Sequence, residues 1–108
     1  MPVYLPTAAT GNSRILVTLG SAGELMGFAY PHIDFPQNAR EGLTAIHVAP
    51  PGGAPRCTWL FEGHWRRRQT YLDATNIVRT VLTSEYFGLV VEITDVVPPG
   101  SALLARRF

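Results

Sequence analysis

The segment from residue 15 to residue 30 most constrains the fold, because it contains two strand-like stretches joined by a glycine-bounded turn. Apolar residues recur at every second position from 15 to 19, which is the period of a strand with one buried face. Residues 20–23 read Gly-Ser-Ala-Gly and supply the positive φ angles that a tight reversal needs. Residues 25–30 then return as the partner strand. The sequence therefore predicts a β-hairpin here.

The hairpin is expected to end by projecting a polar loop. Pro31 has no N–H to donate to a strand ladder, so the second strand should stop at Tyr30. His32 and Asp34 follow within the next three positions. These two side chains are the first candidates for a functional contact.

Turn signals divide the rest of the chain into further short strands, and no stretch of about ten residues carries a clean helical period. We therefore predict one all-β domain over residues 1–108, an antiparallel β-sandwich with little or no helix. The predicted strands after the hairpin span residues 43–49, 56–61, 69–72, 77–83, 86–97 and 102–108, whereas residues 31–42 and 62–69 are predicted to be loops.

Composition limits the class of protein. The chain is 46% hydrophobic and 16% charged, enough apolar material for a core, yet no apolar run approaches the roughly 20 residues of a membrane span. The first residues lack the basic and apolar regions of a signal peptide, so we expect a cytoplasmic protein. Cys57 has no second cysteine to pair with and is predicted to be a small buried residue.

The order of several short pieces resembles the N-terminal β-sandwich domain of bacterial glycoside hydrolase family 15, which includes glucoamylase and glucodextranase. The resemblance covers nearly the whole chain. Its pieces are Gly-Asn-Ser-Arg at 11–14 with the hairpin and the Tyr-Pro step at 30–31, Thr-Trp-Leu-Phe at 58–61, Tyr-Leu at 71–72, the strand 76–83, Gly-Leu-Val-Val-Glu-Ile-Thr-Asp at 88–95, and Leu-Leu-Ala-Arg-Arg at 103–107.

The resemblance implies that the chain is the first part of a larger sandwich, a supersandwich followed by a helical catalytic barrel. The sandwich would pack against that barrel, support it, and shape one wall of the approach to its active site. The strand 102–108 would then lie near an unpaired sheet edge. We therefore expect homodimers formed through exposed strand edges when the chain is studied alone.

Glycoside hydrolysis needs two carboxyl groups that flank the scissile bond. None of the eight carboxylates matches the motifs of the family's catalytic glutamates, which the resemblance places on barrel loops. We therefore expect no catalytic residue in this chain, although the parent protein would be an α-glucosidase. The carboxylates are Glu24, Asp34, Glu41, Glu62, Asp73, Glu85, Glu92 and Asp95.

His32 and Asp34 have two interpretations. A metal site needs three or four convergent ligands, and nothing in the spacing brings His47 or His64 to this loop, so no metal or other cofactor is expected. Asp34 accepting backbone hydrogen bonds within its own loop is the favoured alternative. The resemblance places the loop where sandwich and barrel meet, which makes Tyr30, His32 and Asp34 candidates for substrate or interdomain contact.

The second candidate region combines aromatic residues with Arg66, Arg67 and Arg68. In the favoured interpretation the aromatics at 59 and 61 are core, and the arginines lie over aromatic rings and pair with Glu62 or Asp73. The alternative is a sugar or interdomain contact through Trp65, Arg66 and Tyr71, with an α-glucan or small glucoside as ligand. A net charge of +1 gives little drive for nucleic acid binding. A free-standing carbohydrate-binding or oligomerisation module remains the alternative function.

Overall fold

A computed structural model describes residues 6–30, 37–39 and 42–108, and every regular element in this part of the chain is a strand. No helix that could cross a membrane occurs among these residues. The strands are β1 (Ala8–Gly11), β2 (Leu16–Leu19), β3 (Leu25–Ala29), β4 (Gln37–Ala39), β5 (Ala45–Val48), β6 (Arg56–Trp59), β7 (Arg66–Tyr71), β8 (Val78–Ser84), β9 (Leu89–Val96) and β10 (Ala105–Arg107).

The strands form two four-stranded sheets and one separate hairpin. The first sheet has the order β1-β2-β3-β4, the second has the order β10-β9-β8-β7, and β5 pairs with β6. Each of these pairings is antiparallel. The prediction of an all-β, antiparallel, sandwich-like fold is therefore confirmed.

The first core cluster lies between the two large sheets. Ile15, Val17 and Leu19 are fully buried and pack with Val78 of β8 and with Val97, which directly follows β9. The alternation read from residues 15–19 is thus the buried face of β2, as predicted. Burying a side chain of this size stabilises a fold by roughly 1.5–3 kcal/mol, so this face holds the two sheets together.

The second core cluster lies between the β5–β6 hairpin and the same face of the second sheet. Leu60 and Trp65 pack against Leu82 and Ile93, with Ala22 of the first hairpin also present. The first sheet and the β5–β6 hairpin therefore cover neighbouring parts of one sheet face. The second sheet carries both halves of the core.

The turn at residues 20–23 rests on the second sheet. The Gly20 carbonyl accepts a hydrogen bond of 2.9 Å from Nε2 of Gln69 on β7, and the Gly23 carbonyl accepts one from Arg106 on β10. Gly23 has φ 75°, and a Cβ built there would lie 2.8 Å from Cδ1 of Ile93. A glycine is therefore needed at this position for both conformation and space.

Several predicted boundaries differ from the structure. Residues 66–69 belong to β7 and are not a loop, because all six residues of that strand pair with β8. Residues 86–88 form a turn with Gly88 at φ 66°, so the long strand begins at Leu89. Residues 37–39 form β4 within a predicted loop. The strand predicted at 102–108 is reduced to β10, which lies at a sheet edge as expected.

Cys57 is exposed, so the prediction of a buried thiol is wrong. Its strand, β6, has one covered face and one open face, and Thr58 is buried on the covered one. Neighbouring residues on a strand point to opposite sides, which places Cys57 on the open face.

Candidate functional site

The predicted contact residues do not converge on one site in the described part of the chain. Arg66 and Tyr71 are the first and last residues of β7, about 17 Å apart along the strand. Tyr30 directly follows β3 in the other large sheet and is partly exposed. His32 and Asp34 lie outside the described residues.

Tyr71 on β7 of the second sheet is hydrogen-bonded to β1, the edge strand of the first sheet. Its hydroxyl accepts a hydrogen bond from the backbone N–H of Ala9 at 2.9 Å and donates one to the Ala9 carbonyl at 3.2 Å. These are the polar groups that edge strand β1 turns away from β2. Half of the Tyr71 side chain remains exposed, and the hydroxyl is already engaged.

Trp65 is 2% exposed and lies in the second core cluster. Its indole Nε1–H donates a hydrogen bond of 3.2 Å to Thr58 Oγ1. The ring is therefore covered by the protein itself, and no face is open for stacking on a sugar. Arg66, the next residue, points away from the core and forms an exposed ion pair with Glu85.

A polar cluster lies beside Trp65, where the β5–β6 hairpin meets the second sheet. Nε2 of His64 is 2.8 Å from Thr58 Oγ1, and its Nδ1 is 3.0 Å from Ser84 Oγ. Glu62 Oε2 lies 3.7 Å from His64 Nε2. Serine, histidine and a carboxylate are thus neighbours, which is the residue set of a hydrolytic triad.

The surroundings of that cluster indicate a structural bridge and not a nucleophile. Ser84 is 1% exposed, and its Oγ also accepts the backbone N–H of Phe87 at 3.2 Å. Thr58 Oγ1 can donate to the Trp59 carbonyl, 3.3 Å away, while it accepts the Trp65 indole N–H. No substrate carbon could approach a hydroxyl held in this way. The cluster satisfies buried polar groups and ties the hairpin to β8.

Several carboxylates in the described ranges stabilise the fold. Glu85 and Glu92 form exposed ion pairs with Arg66 and Arg79, and Asp95 forms a buried one with Arg106. Glu24 is buried in the first hairpin, where Oε1 accepts the Ala22 N–H at 2.7 Å. Within those same ranges, no three histidine, cysteine or acidic side chains are grouped to hold a metal.

The outer face of the second sheet is rich in arginine. Arg68 and Arg79 line an open depression of about 330 Å³ together with Thr70 and Val81. Arg79 is paired with Glu92 at 3.0 Å. Arg67 lies on the opposite face, where it donates hydrogen bonds to the carbonyls of residues 61 and 62. Arg66, Arg67 and Arg68 therefore do not form one continuous basic surface.

Trp59 is the exposed aromatic residue that the sequence interpretation placed in the core. It is 43% exposed on the open face of β6, and its ring stacks on Phe61 with centroids 5.8 Å apart and planes 19° apart. The sequence of residues 57–61 is apolar at odd and even positions alike, apart from Thr58. No periodicity could therefore distinguish the buried face from the open one.

Comparison with known proteins relates the chain to glycoside hydrolases in general, without identifying a family. No protein-family model matches the chain, and no solved structure matches it. An uncharacterized glycosyl hydrolase of Methanocaldococcus jannaschii is 26% identical over 97 residues, a region that covers 90% of this chain and 14% of that protein. The chain thus spans about one seventh of the relative's length. This similarity supports a glycoside hydrolase-related domain.

Proposed function

We propose that the chain is the non-catalytic N-terminal β-sandwich domain of a glucoamylase-like enzyme of glycoside hydrolase family 15. Exo-acting hydrolysis of α-glucosides would take place in a helical barrel that this sequence does not contain. The sandwich would pack against the barrel and support it. The main support for this proposal is the similarity to a glycosyl hydrolase, which extends over 90% of this chain and 14% of the relative.

The contacts of four of the described carboxylates support a non-catalytic role. A glycosidase acid or base must reach the scissile bond from a cleft. Asp95 is fully buried against Arg106, and Glu24 is buried within the first hairpin. Glu85 and Glu92 each face an arginine on the outside of the fold. These contacts assign the four carboxylates to folding and surface charge balance.

An activity assay on the purified chain tests this role. The protein is incubated with maltose, isomaltose and trehalose, and released glucose is measured. We expect none, with a family 15 glucoamylase as the positive control on maltose. Glucose release that a single substitution such as Glu62→Gln abolishes would contradict the proposal, because it would place an acid or base in this domain.

The reading frame that encodes the chain tests the remainder of the proposal. We expect the frame, or an adjacent gene, to encode helical hairpins with glutamates near the ends of their connecting loops. A neighbouring sequence without any such helical segment would contradict the supporting role.

A free-standing carbohydrate-binding or oligomerisation module is the second candidate. It is favoured by the open Trp59 ring and by the exposed edge strand β10. Size-exclusion chromatography of the full-length gene product separates the two candidates. A product that contains only this domain and still binds glucan would favour the module.

A further inference from the structure

The open face of the β5–β6 hairpin carries an aromatic ring that the fold does not cover. Trp59 lies on this face, and Thr58 and Leu60 on either side of it are buried. Across the ladder Trp59 is paired with Ala45, whose side chain is only a methyl group. The small cross-strand neighbour leaves access to the indole ring.

The orientation of the ring is set before any ligand arrives. Phe61 is partly buried against the second core cluster, and the Trp59 ring lies nearly parallel to it at 5.8 Å. The backbone N–H of Trp59 donates a 2.9 Å hydrogen bond to Glu62 Oε1. The contact with Phe61 restricts the Trp59 ring, so little rotamer freedom is lost when a ligand stacks on it, which favours binding.

Hydrogen-bonding groups lie beside the ring. The Glu62 side chain is 41% exposed. Its Oε1 accepts the Trp59 N–H, its Oε2 lies 3.7 Å from His64 Nε2, and a carboxylate can accept further hydrogen bonds from a ligand. His47 is exposed on the same face and pairs directly with Cys57, so it is a diagonal neighbour of Trp59, about 7–8 Å away. A flat apolar surface with polar groups at its rim matches a pyranose ring, which has an apolar C–H face and a hydroxyl rim.

Tyr86 is more exposed than Trp59 but is a poorer platform. The Arg56 guanidinium carbon lies 5.5 Å from its ring centroid and an Arg56 nitrogen donates to its hydroxyl at 2.8 Å. Phe87 meets the same ring edge-on at 5.0 Å. The ring and its hydroxyl therefore already have partners, and Tyr86 serves as a matched control for Trp59.

We propose that Trp59, backed by Phe61 and flanked by Glu62 and His47, is a stacking site for one sugar ring of a neutral glucan chain. The choice of glucan rests on the proposed function, because a domain related to glycoside hydrolases meets such chains. The site differs from the contact predicted at Trp65, whose ring is in the core. A single stacking ring gives weak binding, with dissociation constants in the millimolar range.

Acrylamide quenching tests the site directly, since the chain has two tryptophans and only Trp59 is open to the quencher. Maltoheptaose and isomaltoheptaose are the probes, at about 10 mM, and glycerol is the control for viscosity. We expect at least one probe to protect Trp59 from quenching. No protection by either probe at that concentration, about ten times a millimolar dissociation constant, overturns the proposal.

Affinity electrophoresis through gels that contain soluble starch or dextran compares the variants. Trp59→Ala should weaken retardation roughly tenfold or more, in line with the loss of one stacked ring. Trp59→Phe should retain part of the affinity, and Tyr86→Ala should retain all of it. Equal retardation of Trp59→Ala and the parent protein overturns the proposal.

A protein occupant of this face would give a different result. In that case Trp59→Ala would abolish self-association in sedimentation experiments, and sugar would have no effect on quenching. The ring would then belong to an interface between two copies of the chain, and the proposed sugar site would be wrong. Failure of the sugar site leaves the supporting role untouched, because that role is tested by glucose release and by the neighbouring reading frame.

Discussion

Replacing Arg106 by methionine should destabilise the fold strongly, because it leaves a buried carboxylate without its cation. Arg106 Nε donates to Asp95 Oδ1 at 2.7 Å, and an Arg106 terminal nitrogen reaches Oδ2 at 3.3 Å. Asp95 is 0% exposed, and the arginine side chain is 18% exposed. Arg106 also donates to the carbonyl of Gly23, so it connects edge strand β10 to the turn of the first hairpin.

The expected loss follows from burial. Breaking a buried ion pair by removing one partner destabilises a protein by about 3–5 kcal/mol, because the other charge remains uncompensated. The hydrogen bond to Gly23 adds about 1 kcal/mol. Arg79→Met is the control, since the pair between Arg79 and Glu92 is about half exposed and contributes at most about 1 kcal/mol. Small domains have total stabilities of about 5–15 kcal/mol, so only Arg106→Met should approach unfolding.

Urea denaturation followed by tryptophan fluorescence measures these differences, because unfolding exposes the buried Trp65 to water. The double variant Asp95→Asn with Arg106→Met removes the stranded charge and should recover about half of the loss or more. If Arg106→Met is no more destabilising than Arg79→Met, or if the double variant recovers nothing, the buried pair does not hold β10 in place and the reasoning fails.

Three further predictions concern the turn, the core and the sheet edge. Gly23→Ala should lower the free energy of unfolding by about 1–3 kcal/mol more than Gly88→Ala in urea titrations. Both glycines have positive φ, but only the methyl group added at position 23 would crowd Ile93; equal effects would contradict this packing. Trp65→Ala should cost about 3–5 kcal/mol by thermal unfolding, and an unchanged Tm would remove Trp65 from the core. The chain should self-associate at micromolar concentration through the open edge of β10, whereas strictly monomeric sedimentation would argue against it.

The all-β class and the first hairpin could be predicted from local sequence alone. Side-chain direction alternates along a strand, so apolar residues at 15, 17 and 19 had to share a face, and that face is buried. The glycine at position 23 marks a reversal whatever the rest of the chain does, and its φ is positive. Proline and glycine likewise placed the turn that separates β5 from β6.

Tertiary structure decided which aromatic residues are open and which are covered. Trp59 lies in an apolar stretch and Trp65 precedes three arginines, yet the structure exposes the first and buries the second. The β5–β6 hairpin covers the second sheet with only one of its faces, and a strand with apolar residues of both parities does not encode which face that is. The first half of β7, residues 66–68, was predicted to be a loop for a related reason. Its arginine run has no apolar alternation, and it is a strand because β8 offers six pairing positions, a long-range contact that no local pattern contains.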